Sequence, residues 1–322
     1  MSQVKNKIIP IALMLFCCYA NAQNVSNNST IQNKIDLKKM PFIGKVDERF
    51  QSFNIEMCEV IGDEISAAEF FNEPSHAAHG DAPKGYNGSN FAKEFALFKE
   101  FATKAAPNMK IIGPGSTGEG GILPMGLDLS VDELLSPSPK LSFDVFTYHY
   151  YGTVSKRCGG TQKPENALSA DWLKKTKKGL EFYQNTRDKY VPNAPIWLTE
   201  TAETACSGNP WAATYIDVFR YLEQLGRLAK KGVQVGMHNT VAQSEYGLLD
   251  HDTHNPRPNY WAALLWSKFM GNQVFEGGSS EEGVDIFAHN LKNKSKGKAI
   301  LLLNTNDKAK SVRFHLAQIS TC

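Results

Sequence analysis

Residues 195–200 read Pro-Ile-Trp-Leu-Thr-Glu, a short apolar run that ends directly on an acidic side chain. A run of this length that follows a proline and contains β-branched and aromatic residues predicts a buried β-strand, with Glu200 at its carboxyl end. Residues 65–71 (Ile-Ser-Ala-Ala-Glu-Phe-Phe) form a second such run, which Asn72-Glu73-Pro74 ends. Two glutamates therefore follow two predicted strands in the same way.

Predicted strands and helices alternate around these two runs. Apolar runs at residues 109–112, 143–151 and 233–241 indicate further strands. Apolar residues at helical spacing predict four helices, at about residues 89–106, 170–188, 209–231 and 259–270. In the third helix we expect a buried stripe of Tyr215, Val218, Leu222 and Leu225. Alternation of this kind predicts a parallel sheet with helices packed outside it, as in a (β/α)8 barrel.

Polar side chains gather at the predicted carboxyl ends of the strands, where the active site of a (β/α)8 barrel lies. They are Asn72, Glu73, His149, Tyr150, Glu200, His238 and Asn239. Retaining cleavage of a glycosidic bond needs two carboxyl groups about 5–5.5 Å apart, one protonated and one ionised. We therefore predict Glu73 and Glu200 as the catalytic pair of carboxyl groups.

Three further side chains are predicted to line the sugar subsite. Asn72 could hydrogen-bond a sugar 2-hydroxyl, Tyr150 could donate to the nucleophile, and His149 lies at the same strand end. An Asn-Glu-Pro tripeptide can also end a strand by turn chemistry alone. The combination of two strand-end glutamates with a His-Tyr-Tyr strand end between them therefore carries the prediction, and neither glutamate does so by itself.

Four segments in this order resemble glycoside hydrolase family 79, which includes heparanase and the microbial β-glucuronidases. They are residues 71–74 (Phe-Asn-Glu-Pro), 146–151 (Phe-Thr-Tyr-His-Tyr-Tyr), 196–201 (Ile-Trp-Leu-Thr-Glu-Thr) and 245–250 (Glu-Tyr-Gly-Leu-Leu-Asp), followed by 258–261 (Pro-Asn-Tyr-Trp). The resemblance runs from about Ile65 to Gly271, and residues 51–62 are similar to the family's first strand.

The resemblance implies a (β/α)8 barrel with a β-sandwich domain. It further implies that Glu73 on strand four is the acid/base and that Glu200 on strand seven is the nucleophile. It also implies a binding site for the substrate's carboxylate. That site is formed by Tyr246 and by the loop of Cys206, Ser207 and Gly208. A tyrosine hydroxyl and backbone N–H groups suit this task because each can donate to a carboxylate.

The chain departs from the family pattern in two places. Residues 60–64 are too few for a parallel crossover, which needs a dozen or more residues. We therefore predict that barrel strands two and three are missing, by an internal deletion near residues 62–65. Residues 272–322 predict short strands joined by polar turns. The expected architecture is an incomplete (β/α)8 barrel over residues 41–271 and a truncated β-sandwich over residues 272–322.

The N-terminus has the pattern of a signal peptide. Lys5 and Lys7 precede an apolar run over residues 8–19, and Ala20-Asn21-Ala22 provides the small residues of a cleavage site. The run is too short to span a bilayer. We expect cleavage after Ala22, a solvated leader over residues 23–40 and a secreted or periplasmic protein without stable membrane insertion.

Four cysteines follow this segment: Cys58, Cys158, Cys206 and Cys322. Their spacing is poor for zinc, and an exported protein can oxidise them, so we favour a Cys158–Cys206 disulfide. His76 and His79 do not complete a metal pattern, and we predict no metal and no cofactor.

The expected partner is a carbohydrate that contains uronic acid. The formal net charge of +2 does not indicate a nucleic-acid binder. The first functional hypothesis is retaining hydrolysis of β-linked glucuronides. Two alternatives stay open: an inactive, internally deleted remnant that at most binds glycan, and a barrel hydrolase of neutral β-glucans.

Overall fold

The computed structural model describes residues 35–53, 67–80, 82–123, 126–278, 283–294, 296–312 and 314–315. The predicted signal peptide, Cys58 and Cys322 lie outside these residues. The strands are β1 (Ile35–Asp36), β2 (Phe42–Lys45), β3 (Gln51–Phe53), β4 (Ala67–Glu69), β5 (Lys110–Ser116), β6 (Val145–Tyr150), β7 (Ile196–Thr201), β8 (Val235–His238), β9 (Met270–Glu276), β10 (Val284–Leu291), β11 (Lys298–Asn304) and β12 (Phe314–His315). The α-helices are α1 (Gly88–Ala105), α2 (Val131–Leu135), α3 (Ala170–Tyr190), α4 (Tyr215–Lys230) and α5 (Pro258–Phe269).

The larger sheet is a curled, parallel half barrel of six strands in the order β3-β8-β7-β6-β5-β4. Within the described ranges, no strand pairs with the free side of β3 or with the free side of β4. These two strands correspond to barrel strands one and four. The order therefore agrees with the predicted absence of strands two and three.

Strand alternation divides the apolar residues of this sheet between two faces. Ile112, Val145, Trp197 and Val235 form a buried cluster on the inner face. The alternate residues of β6, which include Phe146 and Tyr148, belong to the main core with helical residues such as Tyr183 of α3. The helices thus cover the outer face and leave the inner face and the strand ends to the polar site.

The predicted strands and helices lie close to their expected positions, with two corrections. β5 continues through Gly113–Ser116, so the strand is four residues longer at its end than the apolar run at residues 109–112 that predicts it. The third helix begins as a 3₁₀ turn at Pro210–Ala213, and α4 starts at Tyr215. Tyr215 is 72% exposed because it lies in the first turn, whereas Tyr221 and Leu225 are buried.

The smaller sheet is antiparallel, in the order β11-β10-β9-β2, and a separate parallel pair joins β1 to β12. Because β2 pairs with β9, it belongs to the smaller sheet, and the larger sheet begins at β3 and not at residue 41 as predicted. The predicted leader is also corrected at its end, because Ile35 and Met40 are buried against Ile286 and Ala288. Ile35 and Met40 therefore give the last residues of the predicted leader, 35–40, a packed position that a solvated leader lacks.

No helix in the described part of the chain is long and apolar enough to cross a membrane.

Candidate active site

Glu73 is held at the end of β4 by the packing of the residues before it. Phe70 and Phe71 contact Phe91 of α1, with ring centroids 5.6 and 6.3 Å apart. Glu73 itself has a left-handed backbone conformation, with φ of 47°, and its side chain is 25% exposed. The chain therefore turns sharply after the phenylalanines and leaves this carboxylate accessible at the carboxyl end of the sheet.

A bulge in β7 directs two consecutive side chains into the site. The pairing register between β6 and β7 shifts, so that Tyr148 pairs with Leu198 but His149 pairs with Glu200. Bulges re-aim side chains and occur often beside active sites. Here the bulge allows both Thr199 and Glu200 to contact residues of the polar cluster.

His149 is buried, and three carboxylates surround its ring. Its Nε2 lies 3.2 Å from Glu69 Oε2, and its Nδ1 lies 3.1 Å from Glu73 Oε1 and 3.6 Å from Glu200 Oε2. Glu69 also accepts a hydrogen bond of 2.7 Å from the Thr199 hydroxyl. The cluster thus contains one cation-forming group and three anion-forming groups, contributed by β4, β6, β7 and the turn after β4.

Burial and charge act against each other within this cluster. Burial lowers the pKa of His149, but the charges of Glu200 and Glu69 and the hydrogen bonds that the ring donates to Glu69 and Glu73 outweigh it, so this pKa lies well above its usual value. Burial raises the pKa of Glu200; the charge of His149 opposes this effect and the charge of Glu73 adds to it, and the net shift is upward. Burial also raises the pKa of Glu69, but the hydrogen bond and charge of His149 and the hydrogen bonds of Thr147 and Thr199 together outweigh it, and the net shift is downward.

Tyr151 and Asn239 bind the Glu200 oxygen that faces away from His149. The Tyr151 hydroxyl donates to Glu200 Oε1 at 2.5 Å, and Asn239 Nδ2 lies 3.1 Å from the same oxygen. Asn239 Nδ2 is also 2.8 Å from the Tyr151 hydroxyl and 3.2 Å from that of Tyr246. These contacts join the ends of β6 and β8 to the carboxylate on β7.

The predicted donor Tyr150 does not reach Glu200. Its ring packs against α3, where a Cβ added at Gly179 would lie 3.0 Å from Tyr150 Cδ2. Side chains alternate along a strand, so His149 and Tyr151 face the site while Tyr150 faces the helices. The prediction for Tyr150 is therefore wrong by one residue, and Tyr151 takes the role.

The loop of Cys206, Ser207 and Gly208 is joined to the segment after β6 by a disulfide between Cys158 and Cys206. Ser155 Oγ donates to the Cys206 carbonyl at 2.7 Å. All three loop residues have φ between 61° and 78°. Cys206 and Ser207 lie in a turn, and the backbone N–H groups of a turn can form a concave site for an anion.

Tyr246 covers this loop. A Cβ added at Gly208 would lie 2.7 Å from Tyr246 Cδ1, so only glycine fits beneath the ring. His238 Nε2 lies 2.7 Å from the Tyr246 carbonyl, and burial lowers the pKa of His238 to about 4, which keeps its ring neutral. Of the remaining predicted residues, Asn72 is exposed beside Glu73 and makes no contact on which a role can be argued.

One group in the described part of the chain has ligand-type atoms close enough together for a metal ion. One atom each from Glu73, His149 and Glu200 lies within 4.8 Å of the other two. The His149 ring, however, has a carboxylate oxygen close to each of its nitrogens. The donor set therefore already forms an internally hydrogen-bonded cluster, for which metal binding is not needed.

Sequence reasoning missed Glu69, Tyr151 and Asn239. Asn239 is one of the polar residues at the predicted strand ends, but the sequence indicates no function for it. Tyr151 lies next to Tyr150, the predicted donor to Glu200. Glu69 is within an apolar run at an even distance from Glu73. That spacing places it on one face with the inward residues of β4 and is the signal that could have found it.

A separate cleft lies far from this cluster, where the start of β3 meets α5 and β9. Phe50, Trp266, Asn272 and Asn290 contribute to its lining, together with Asp47. Asp47 is bound to Arg49 at 2.9 Å. The cleft therefore offers no pair of free carboxylates, in contrast to the cluster that contains Glu73 and Glu200.

No protein-family model matches the chain. The chain does match the sequences of curated proteins. Heparanase-like protein 1 from Arabidopsis thaliana is 27% identical over 249 residues, which cover 76% of this chain and 44% of the relative. Baicalin-β-D-glucuronidase from Scutellaria baicalensis is 30% identical over 243 residues, or 74% of this chain and 43% of the relative. The chain thus spans less than half the length of these relatives.

Solved structures share the fold at low sequence identity. The family 44 endoglucanase from Clostridium thermocellum has a TM-score of 0.56 at 16% identity, over 79% of this chain and 57% of that one. A 4-O-α-L-rhamnosyl-β-D-glucuronidase from Fusarium oxysporum has a TM-score of 0.52 at 16% identity, over 75% and 51%. These matches show the fold alone. The curated relatives, which include heparanases, heparanase-like proteins and glucuronidases, show that the chain belongs to glycoside hydrolase family 79.

Proposed function

We propose that the protein is a retaining glycoside hydrolase that cleaves β-linked glucuronides, with Glu73 as acid/base and Glu200 as nucleophile. The observation that carries this proposal is the separation of the two carboxylates, which each place an oxygen within 4.8 Å of the other. Retaining enzymes hold their carboxyl groups about 5–5.5 Å apart, whereas inverting enzymes leave about 6.5–9.5 Å for a water molecule.

The mechanism consists of two displacements at the anomeric carbon. In the first, a Glu200 oxygen forms a bond to that carbon while Glu73 gives its proton to the departing glycosidic oxygen. In the second, Glu73 takes a proton from water, and the water oxygen displaces Glu200. Tyr151 and Asn239 hold Oε1 of Glu200, and the attacking oxygen in this mechanism is Oε2, which lies 3.6 Å from His149 Nδ1.

The proposed substrate preference rests on the loop of Cys206, Ser207 and Gly208. In the described part of the chain, the backbone N–H groups of Ser207 and Gly208 donate to no protein acceptor. The Tyr246 hydroxyl points to the same polar cluster, 3.2 Å from Asn239 Nδ2. These donors suit a sugar carboxylate, which accepts several hydrogen bonds at once.

The test is hydrolysis of 4-nitrophenyl β-D-glucuronide by residues 23–322, with Glu200→Gln as the control. We expect activity that the control lacks. We also expect that Tyr246→Phe lowers the ratio of kcat/KM for the glucuronide to that for the matching glucoside. An unchanged ratio would favour a hydrolase of neutral β-glucans.

A second candidate is a folded but inactive remnant that at most binds glycan. The free sides of β3 and β4 favour it, because an open half barrel offers fewer walls for a sugar than a closed one. Cooperative unfolding together with no hydrolysis would support the remnant. We also propose that the smaller sheet is one part of a β-sandwich domain and that the protein is secreted.

A further inference from the structure

Glu69 is a third carboxylate in the site, and the double displacement leaves it without a task. Both of its oxygens are occupied: Oε2 lies 3.2 Å from His149 Nε2, and Oε1 accepts the Thr199 hydroxyl at 2.7 Å. Thr199 directly precedes the proposed nucleophile. Glu69 therefore joins β4 to β6 and β7 through side chains alone.

The Glu69 side chain reaches these partners across the neighbouring strand β5, at a position occupied by glycine. β5 lies between β4 and β6, so the Glu69 side chain must cross β5 to reach His149. A Cβ added at Gly115 of β5 would lie 3.0 Å from Glu69 Oε2 and 3.2 Å from its Cδ. Gly115 also has φ of 68°, which side-chain-bearing residues rarely adopt. Glycine at this position therefore admits the carboxylate.

The same geometry indicates the protonation state of His149. A neutral imidazole has one N–H donor and one acceptor, whereas the imidazolium donates from both nitrogens. Each nitrogen here faces a carboxylate oxygen, at 3.2 Å on the Glu69 side and at 3.1 Å on the Glu73 side. Glu69 Oε2 accepts from Nε2–H, and Glu73 Oε1 accepts from Nδ1–H both when Glu73 is ionised and when its proton is on Oε2, so the charged ring satisfies both contacts.

We propose that Glu69 is a positioning residue for glycosyl transfer, because it holds His149 by Nε2 so that the Nδ1–H group stays between Glu73 and Glu200. This inference rests on the proposed roles of those two glutamates. When Glu200 bonds to the anomeric carbon it loses its negative charge, and Glu73 gains one as its proton passes to the leaving oxygen. The charge thus moves between two neighbours of Nδ1, and the imidazolium stabilises it in both places.

The charges around His149 agree with this arrangement. Glu69 on β4, Glu73 on the turn after β4 and Glu200 on β7 are the ionisable groups that act on the ring, and together they outweigh the burial that opposes its charge. If Glu69 were made neutral, the ring would lose the anion on its Nε2 side. The pKa of His149 would then fall, and the ring would lose its proton at a lower pH than in the unmodified protein.

The first test is an NMR titration of His149 in protein labelled with ¹⁵N-histidine, with His149→Gln used to assign the signal. In the unmodified protein we expect both ring nitrogens to be protonated at neutral pH. Glu69→Gln should lower the midpoint by about 1–3 pH units, the range for loss of an opposite charge at this distance. Glu119→Gln removes another buried carboxylate, one bonded to the Val131 N–H, and should leave the midpoint unchanged.

The second test is the pH dependence of hydrolysis. Glu69→Gln should lower kcat by roughly 10- to 100-fold with little change in KM, because a displaced catalytic group slows the chemical step. The alkaline limb of the profile should move to lower pH with the His149 midpoint. A purely structural role would reduce activity without moving that limb.

The outcomes separate this inference from the proposed function. A neutral His149 at neutral pH in the unmodified protein would overturn the positioning role, even if Glu69→Gln failed to fold. Glucuronide hydrolysis with an unmoved midpoint and profile in Glu69→Gln would also overturn it and leave the proposed function standing. If the protein hydrolyses no glucuronide, the titration still decides whether Glu69 holds a charged His149.

Discussion

The two sides of the half barrel differ in how complete they are. The strands from β4 to β8 are paired without a gap, and they or the turns after them supply every side chain of the polar cluster. These side chains are Glu69, Glu73, His149, Tyr151, Glu200, Asn239. The other side, between β3 and β4, has no described strand pairing. The proposed catalytic groups therefore depend on the continuously paired strands β4 to β8, which we call the continuous wall, and the gap lies elsewhere.

The open side also exposes apolar surface. Trp261, Leu265 and Phe269 are four residues apart on α5 and are 52%, 57% and 48% exposed. α5 lies next to β3, where Phe50 contacts Trp266 with ring centroids 5.8 Å apart. An apolar stripe of this kind favours self-association. The comparison therefore predicts that substitutions on the continuous wall affect catalysis, whereas those on the open side affect association.

The largest effect is expected for Glu73→Gln. Loss of a general acid/base typically lowers the rate by about 10²–10⁴-fold. A poor leaving group depends most on protonation, so kcat/KM for an alkyl glucuronide should fall far more than that for 4-nitrophenyl glucuronide. Steady-state kinetics on both substrates measure the difference. An equal fall for the two substrates would contradict the assignment of Glu73.

Removal of the disulfide tests the loops above the continuous wall. The Cys158–Cys206 bond closes a separation of 48 residues. Its loss in a Cys158→Ser, Cys206→Ser double variant should lower the free energy of unfolding by about 2–4 kcal/mol. Denaturant titration of the oxidised parent and the double variant gives the value. The glucuronide preference should fall as well, and an unchanged denaturation midpoint would contradict a stabilising role.

Tyr151 and Tyr150 are adjacent on β6 and provide a matched pair of variants, for which we expect smaller effects on the rate than for Glu73→Gln. Tyr151→Phe removes a hydroxyl that donates to Glu200, and a hydrogen bond to a charged group contributes about 1.5–3 kcal/mol. The rate should fall roughly 10- to 100-fold. That hydrogen bond lowers the pKa of Glu200, so its loss raises this pKa, and the acid limb of kcat/KM should move to higher pH.

The control is Tyr150→Phe, at the position that faces α3. Its kcat and pH profile should match those of the parent. If Tyr150→Phe moved the acid limb and Tyr151→Phe did not, the assignment of the two faces of β6 would be reversed.

The smallest effect is expected on the open side. Leu265→Glu replaces an exposed leucine, so the free energy of unfolding should change by less than about 0.5 kcal/mol. Light scattering should show less self-association than in the parent, with kcat unchanged. Equal scattering by parent and variant would mean that the α5 stripe is not an association surface.

The sequence predicts the positions of the strands and helices that form the continuous wall better than it predicts the side-chain contacts of the polar cluster. Apolar runs and helical spacing locate β6, β7, α1 and α3 because burial determines those patterns. The strand-end glutamates follow from the same reasoning. β2 could not be found in this way, because it pairs with β9 from the other end of the chain and such pairing leaves no local pattern.

Side-chain roles within the site depend on features that a sequence does not display. The bulge in β7 turns Thr199 and Glu200 to the same cluster, against simple alternation. The link from Glu69 to His149 crosses a strand and needs the space at Gly115. The sequence does not show which residues of β6 face the site, so it does not distinguish Tyr151, which contacts Glu200, from Tyr150, which faces α3. Each of these depends on register, which tertiary pairing sets.

The most direct test of the account is to trap the glycosyl-enzyme. The protein, residues 23–322, is incubated with a 2-deoxy-2-fluoro-β-glucuronyl fluoride, and its intact mass and peptides are measured, with Glu200→Gln beside it. We expect one added glycosyl group on the peptide that contains Glu200 and none on the variant. A folded protein that gains no adduct, or one on another residue, would contradict the claim that the continuous wall alone forms a working pair of carboxylates.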